Sequence, residues 1–591
     1  MSMSKNIARL AVTAGLTAAL SFGGVMAPVT MAFAEGTPNS ITINQVDKDN
    51  ANNTFKAYQI FKAKVIDAQD GSGKIASDVK WAVGDKAQND IINAIRNSRG
   101  YSDSESKLPG AESITAQDVA DWLSANVTTT ASANGAEGTR VAPGDVLHSI
   151  AKVVTEDEIA VEDSIKAGNA WTRPDENGDG YYLFVSDGLT NQTKPNTGTS
   201  PIFAIVGGDP VTVTEKTSIP TVEKKILDDT AGKDAANAEE NNWKNSGDAW
   251  IGQEIDYRLI GRVADNIASY DTYYYEFQDT LSKGLKVVKN PDDTLKDLHV
   301  YIVNNGSKEE VAPDADKGYT ATVTHDEADG TELLKVSFKN LKKVQTANGG
   351  PIEVGAASKV VVTYKAQLTS DVEYKADGTT NEVKLVYSNN PMTNDKGTSE
   401  SDKVTDYVFG LDVTKTDADP NNANAKLVAR FKVKMTKEGN TVIPDGGKWL
   451  TQKGGLTSNA SEAGVFATET NNKVFIPGLV EGEYQIIESE APAGYNTIDP
   501  FTIRVTPTYD TTGTLKSLEV KSSSIMASAE IEENLTTTKI PITIKNKKGS
   551  GLPLTGLNGV TFTWIAGGAV LCIGVAHLIR SRKQAEESEQ E

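Results

Sequence analysis

The chain has 591 residues, of which 38% are hydrophobic and 24% are charged. A chain of this length is too long for one hydrophobic core, and we expect roughly two to four folded domains. Its net charge of −21 argues against nucleic acid as a partner, because phosphate binding requires a basic surface.

Residues 1–34 have the pattern of a secretory signal peptide. Lys5 and Arg9 supply a positive start, and residues 10–25 form a short apolar run. Small residues at Ala32 and Ala34 then frame a cleavage site. The run is too short to span a bilayer, so we expect the chain to be secreted.

Residues 35–215 are predicted to form an α+β domain. Three stretches carry apolar residues at helical spacing, and strand-like runs at 54–65, 181–185 and 201–206 flank them. The helical stripes are Ile91, Ile92 and Ile95; Val119, Trp122, Leu123 and Val127; and Val146, Leu147, Ile150, Val153 and Val154.

From residue 211 the pattern changes to strands separated by Gly, Asn and Asp turns. The spacing is typical of immunoglobulin-like β-sandwiches. We therefore predict a mainly β protein with two tandem sandwiches, at 216–403 and 404–548, after the α+β domain. The expected strands include 211–213, 222–226, 255–260, 273–277, 333–338, 359–364 and 382–387.

Three strands of the second sandwich each point a polar side chain inward. Alternate residues of a strand share a face, which places Lys415, Glu488 and Asn546 in the apolar layer. Burying three unpaired groups is too costly to be incidental. Their apolar companions are Leu411 and Val413; Tyr484 and Ile486; and Ile540, Ile542 and Ile544.

These three side chains are chemically complementary. Burial lowers the pKa of a lysine and raises that of a carboxylic acid, so a neutral amine can meet a protonated acid. The amine is then a nucleophile, and Glu488 can polarise the carboxamide. We expect an amide between Lys415 and Asn546, with release of ammonia.

Residues 484–495, YQIIESEAPAGY, resemble the E-box YxLxExxAPxGY of collagen-adhesin B-type domains in Gram-positive pilins and adhesins. The resemblance covers most of residues 404–548. It implies that Glu488 is the catalytic glutamate, Lys415 the strand lysine and Asn546 the last-strand asparagine.

The sandwich predicted at 216–403 carries a similar but less clear set of a lysine, an acid and an asparagine. Alternation places Lys224 and Asp279 on inward faces. Residues 278–285, QDTLSKGL, resemble the DxLPxGL turn of pilin middle domains, with Ser282 in the place of Pro. The resemblance implies that Asp279 is the acid of this domain.

The asparagine of this set has two candidates. Asn381 and Asn389 share one face of a strand. Similarity to the middle-domain pattern NxAxLxYxN favours Asn381, giving the triad Lys224, Asp279 and Asn381.

Major pilins resemble one another in a polymerisation lysine that lies in a VYPK-like sequence just before the middle domain. Residues 211–216, VTVTEK, occupy that place but lack the aromatic residue and the proline. The resemblance implies that Lys216 is the pilin lysine. The alternative is an ordinary linker lysine.

The last segment, 549–591, resembles a cell-wall sorting signal. An apolar run at 560–579 is long enough to span a bilayer, and the basic cluster at 580–583 would stay inside. The resemblance implies that sortase cuts between Thr555 and Gly556. The complete motif is Leu552, Pro553, Leu554, Thr555 and Gly556.

Together these resemblances imply a backbone subunit of a sortase-assembled pilus on the cell wall of a Gram-positive bacterium. The implied partners are a class C (pilin) sortase, a housekeeping sortase, identical subunits head to tail, peptidoglycan and a tip or accessory pilin. The alternative is a monomeric wall-anchored adhesin that binds a host protein or glycan. We expect no turnover enzyme and no cofactor, because no Ser/His/Asp spacing or phosphate loop stands out in the sequence. We expect no zinc site, since the chain has four scattered His and a single cysteine, Cys572.

Overall fold

The computed structural model describes residues 10–13 and 37–549, except for short gaps. The gaps are 46–49, 51–52, 68–72, 99–100, 103, 105–106, 111–113, 128–140, 190–193, 216, 228–234, 424, 470 and 532–534. Most of the predicted signal peptide, Lys216, the sorting motif and the apolar run at 560–579 therefore lie outside the described residues. None of the helices in the described part is long and apolar enough to cross a membrane.

The described residues of the first part include two sheets and three helices of eleven residues or more. A six-stranded sheet has the order β1-β4-β3-β7-β8, with β5 also on β3, and a three-stranded sheet has the order β6-β2-β9. These elements are β1 (Leu10–Thr13), β2 (Ser40–Asn44), β3 (Thr54–Asp67), β4 (Gly73–Trp81), α1 (Asp85–Asn97), α2 (Ala116–Asn126), α3 (Val146–Asp157), β5 (Glu162–Lys166), β6 (Ala170–Thr172), β7 (Gly180–Asp187), β8 (Ile202–Val206) and β9 (Val211–Thr214).

The middle part is a sandwich of two seven-stranded sheets. One has the order β11-β10-β13-β20-β16-β17, with β15 on β20; the other has the order β12-β23-β21-β14-β19-β18, with β22 on β21. Its strands are β10 (Val222–Leu227), β11 (Trp243–Lys244), β12 (Ser246–Asp248), β13 (Glu254–Arg262), β14 (Tyr275–Leu281), β15 (Leu285–Val287), β16 (His299–Asn304), β17 (Ser307–Glu310), β18 (Thr320–His325), β19 (Glu332–Phe338), β20 (Lys359–Leu368), β21 (Thr379–Ser388), β22 (Lys396–Thr398) and β23 (Asp402–Tyr407).

The last part is a second sandwich. A four-stranded sheet, β30-β24-β35-β34, faces an eight-stranded sheet, β28-β27-β25-β31-β32-β33, in which β26 and β29 also pair with β25. Its strands are β24 (Phe409–Asp417), β25 (Arg430–Glu438), β26 (Thr441–Val442), β27 (Lys448–Leu450), β28 (Leu456–Thr457), β29 (Phe466–Ala467), β30 (Lys473–Leu479), β31 (Gly482–Glu490), β32 (Phe501–Tyr509), β33 (Leu515–Ser522), β34 (Ala527–Ala529) and β35 (Lys539–Asn546).

This architecture confirms the mainly β fold class with helices near the N-terminus. The three apolar stripes form α1, α2 and α3, and their residues Ile91, Val119 and Ile150 are buried beside the first sheet. Each sandwich has a core of its own between its two sheets. Strand β23 crosses the boundary predicted between residues 403 and 404, because it pairs with β21 of the middle sandwich.

Hydrogen bonds join the three parts in sequence. Asn389 Nδ2 in the middle sandwich donates to Asn196 Oδ1 of the first part at 2.8 Å. At the other end, Gly478 N of the last sandwich donates to the Tyr374 hydroxyl at 3.1 Å. The Tyr374 ring also meets Phe475 edge to face, with ring centroids 4.8 Å apart.

Candidate functional site: two buried lysine, acid and asparagine clusters

Two neighbouring strands and one facing strand build the cluster of the last sandwich. Strands β24 and β35 run parallel, and Lys415 lies opposite Ile544 in their register. Asn546 follows two residues later on the same face of β35, so it lies diagonally next to Lys415. Glu488 reaches the same place from β31 in the other sheet.

The three side chains contact one another directly. Lys415 Nζ donates to Asn546 Oδ1 and lies 3.2 Å from Glu488 Oε1. Asn546 Nδ2 donates to Glu488 Oε2 at 2.9 Å. The side chains of Lys415 and Glu488 are fully buried, so water does not compete for these contacts.

Backbone groups hold the acid and the amide in place. Ile498 N donates to Glu488 Oε2 at 2.9 Å, and Asn546 Nδ2 also donates to the Asn496 carbonyl at 2.8 Å. Burial lowers the pKa of Lys415, although the nearby Glu488 carboxylate opposes the shift. The amine is thus closer to its neutral, nucleophilic form than an exposed lysine is.

The cluster of the middle sandwich also spans two sheets, but here the acid and the asparagine share one sheet and the lysine faces them from the other. Lys224 comes from β10 in one sheet, and Asp279 on β14 and Asn381 on β21 come from the other. In the β14–β21 register Leu281 lies opposite Asn381. Asp279 shares the inward face of Leu281, so the acid and the amide are diagonal neighbours.

A tyrosine lies at the centre of this second cluster. Lys224 Nζ donates to both Asp279 carboxylate oxygens at 2.6 Å and to the Tyr364 hydroxyl at 3.2 Å. The Tyr364 hydroxyl donates to Asp279 Oδ2 at 2.6 Å and accepts from Asn381 Nδ2 at 2.7 Å.

Sequence reasoning did not single out Tyr364, although the strand pattern contains a signal for it. Val360, Val362 and Tyr364 alternate along β20, and all three are buried. Alternation from the two valines would have placed the tyrosine in the core.

Burial shifts both charged partners of the middle cluster towards their neutral forms. It lowers the pKa of Lys224 and raises that of Asp279, and the attraction between the two opposes each shift. The Tyr257 and Tyr364 rings both lie near the lysine, with centroids 5.3 and 5.4 Å from Nζ. The Tyr257 hydroxyl donates to a second buried acid, Asp406, at 2.5 Å.

The other candidate asparagine lies elsewhere. Asn389 is at the junction with the first part, where it bonds Asn196 and its carbonyl accepts from Gly198 N at 2.6 Å. The structure therefore brings Asn381, and not Asn389, to Lys224 and Asp279. Lys225, next in sequence to Lys224, points away and bonds Asn245 Oδ1 at 2.8 Å.

The fold and these clusters define the class: a mainly β protein of tandem sandwiches, each with a lysine, an acid and an asparagine in its core. Residues 409–519 match the family model described as SpaA, prealbumin-like fold domain. The curated fimbrial subunit type 2 of Actinomyces naeslundii is 26% identical over 329 residues, which cover 52% of this chain and 53% of that protein. The chain thus spans about half the length of this curated relative. These matches confirm the resemblance to Gram-positive fimbrial subunits.

Solved structures of pilins are also similar to the chain. The T6 backbone pilin of serotype M6 Streptococcus pyogenes is 12% identical with a TM-score of 0.46, and the match covers 88% of this chain and all of that one (100%). The major pilin SpaA of Corynebacterium diphtheriae is 12% identical with a TM-score of 0.42, covering 86% of this chain and 100% of that one.

Proposed function

We propose that this chain is the structural backbone subunit of a covalently polymerised cell-surface pilus that supports adhesion. The observation that carries the proposal is the contact of Lys415, Glu488 and Asn546 inside a SpaA-type domain. A filament under load needs covalent reinforcement. The only cysteine, Cys572, lies in the apolar run near the C-terminus, so the folded part cannot use disulfides.

In this proposal each cluster makes an intramolecular isopeptide bond. Lys415 Nζ attacks the Asn546 carboxamide while Glu488 shuttles the proton, and ammonia leaves. Lys224, Asp279 and Asn381 react in the same way in the middle sandwich. Each reaction happens once per chain, so the protein is not a turnover enzyme.

In this proposal assembly uses the sorting motif near the C-terminus and Lys216, which precedes the middle sandwich in sequence. A class C (pilin) sortase would cut between Thr555 and Gly556 of the motif that begins at Leu552, and hold Thr555 as a thioester. The Lys216 amine of another subunit would take over the acyl group. Such head-to-tail joining is heterologous and gives an open filament. A housekeeping sortase would pass the basal subunit to peptidoglycan, and a tip or accessory pilin would end the fibre.

The test is to boil the cell-wall fraction in detergent and probe it for this chain. A backbone pilin gives a ladder of covalent high-mass species, whereas a monomeric wall-anchored adhesin gives one species. A single monomer band from piliated cells would overturn the proposal. The mass of the uncross-linked monomer then tests the internal bonds separately, since each bond removes one ammonia molecule.

A further inference from the structure

The two clusters differ in how the acid reaches the asparagine. In the last sandwich Glu488 Oε2 accepts directly from Asn546 Nδ2 at 2.9 Å. In the middle sandwich the described hydrogen bonds of the Asp279 side chain go to Lys224 and Tyr364. Asn381 Nδ2 instead bonds the tyrosine hydroxyl, so the hydroxyl stands between acid and amide.

We propose that Tyr364 is a catalytic residue of the middle-domain cross-link, where its hydroxyl relays a proton from Asp279 to the departing nitrogen of Asn381. The inference rests on the proposed function, because it assumes that the Lys224–Asn381 bond forms. The hydroxyl touches both reacting side chains, at 3.2 Å from Lys224 Nζ and 2.7 Å from Asn381 Nδ2.

The proton balance of the reaction uses this path. Lys224 first gives one proton to Asp279, and its neutral amine attacks Cγ of Asn381. Asp279 then passes that proton to the Tyr364 hydroxyl, while the hydroxyl gives its own proton to Nδ2. Asp279 next removes a proton from Nζ, and the Cγ–Nδ2 bond breaks. The products are the new amide, ammonia and one proton left on Asp279, so no oxidant or co-reactant is required.

Geometry favours this role over a purely structural one. Tyr364 is buried, and Asp279 Oδ2 lies 2.6 Å from its hydroxyl, within the range of a strong, charge-assisted hydrogen bond. Tyr257 provides an internal comparison. Its ring stacks on that of Tyr364 with centroids 5.3 Å apart, but its hydroxyl bonds Asp406.

The experiment follows the intact mass of the freshly made full chain over time, and recovers the peptide in which Lys224 is joined to Asn381. Tyr364→Phe should slow the middle-domain bond by about 100-fold or more, the range of general acid–base catalysis. Tyr257→Phe, the matched control, should complete the bond. The cross-link of the last sandwich should form in both variants.

Each outcome separates the two proposals. A wild-type chain that lacks the Lys224–Asn381 peptide overturns the proposed bond itself. A wild-type chain that has it, with an equally fast Tyr364→Phe variant, overturns the relay alone. Should Tyr364→Phe fail to fold, a fluorinated tyrosine at position 364 keeps the shape and makes the hydroxyl more acidic. A relay then requires a changed rate of bond formation, and an unchanged rate refutes it.

Discussion

At the scale of single residues, we expect the reactivity of each lysine to depend on its burial more than on its ion pair. A lysine beside a carboxylate at the surface stays charged and unreactive. Lys415 and Lys224 have no exposed side-chain surface, so desolvation opposes the charged state of each amine. The same burial that opposes folding favours the neutral form of each amine, the form that the proposed reaction requires.

Replacement of Glu488 by Ala tests the acid of the last sandwich. The carboxamide of Asn546 loses its proton source, so the bond should not form. The intact mass of the variant should then exceed, by one ammonia molecule, the mass calculated for the same variant sequence with both cross-links. The lost bond spans 131 residues of chain. Its loss should lower the free energy of unfolding by about 4–5 kcal/mol in the chain-entropy account, seen as earlier melting and proteolysis of that domain.

Glu490→Ala is the control for this variant. Glu490 lies on the same strand, but 67% of its side chain is exposed, where it pairs with Arg430. Its removal should leave unchanged both the melting and the shortfall of the measured mass, two ammonia molecules below the mass calculated for the variant sequence. A Glu488→Ala chain that still lacks two ammonia molecules relative to its own calculated mass would show that the acid is not needed.

The pH dependence of an unreacted chain tests the burial of the amine. In Asn546→Ala, Lys415 stays free, and its folded pKa lies below the ordinary value of 10.5. Between those two values the unfolded state binds more protons, so the stability of the last sandwich should rise with pH across that window. Urea unfolding at a series of pH values measures the slope.

The double variant Asn546→Ala with Lys415→Met removes the titrating group. It should lose the rise in stability with pH over the same window. A slope equal to that of Asn546→Ala would assign the effect to other groups.

At the scale of elements, strand register decides which side chains meet. The parallel pairing of β24 and β35 puts Lys415 and Asn546 on one inward face. A shift by one residue would turn Lys545, which is exposed, inward and Asn546 outward. The apolar residues Ile540, Ile542 and Ile544 prevent that shift because they are buried on the same face as Asn546.

Moving the asparagine by one position tests this dependence. The double variant Lys545→Asn with Asn546→Ala keeps an asparagine in the last strand but points it to solvent. We expect no cross-link in the last sandwich and an intact bond in the middle one, measured by peptide mass mapping. A bond between Lys415 and position 545 would show that register does not select the partner.

At the scale of the whole molecule, the C-terminal cluster lies where the chain enters and leaves its domain. In the last sandwich the chain enters through β24 and leaves through β35, the two strands that carry Lys415 and Asn546. A bond between them would carry tension past the 131 residues in between. The junction contact of Tyr374 connects the two sandwiches, and that of Asn389 connects the middle sandwich to the first part.

Polymerisation is tested at Lys216. Lys216→Ala should abolish the detergent-resistant ladder and leave monomer on the wall, because the acyl group held at Thr555 loses its acceptor. Lys225→Ala, which changes a lysine of the following strand that bonds Asn245 Oδ1, should keep the ladder. A ladder that persists in Lys216→Ala would refute the assignment and move it to another lysine.

The sequence by itself determined the features that depend on local periodicity. Alternation identified the inward faces of Lys415, Glu488 and Asn546, and all three are buried. Helical spacing identified α1, α2 and α3 in the same way. Such features are readable because side-chain direction follows from backbone geometry alone.

Only the tertiary structure decided which inward side chains touch. Alternation puts Asn381 and Asn389 on one face, yet Asn381, in β21, bonds the Tyr364 hydroxyl of the middle cluster. Asn389, just after the end of β21, lies at the junction with the first part. Tyr364 was hidden for the same reason, since an inward tyrosine is ordinary until its hydroxyl is found between an acid and an amide. Alternation along a strand determines on which side of the sheet a side chain lies. Which residues of two facing sheets come into contact depends on how the sheets pack against each other, and that packing is set by long-range contacts.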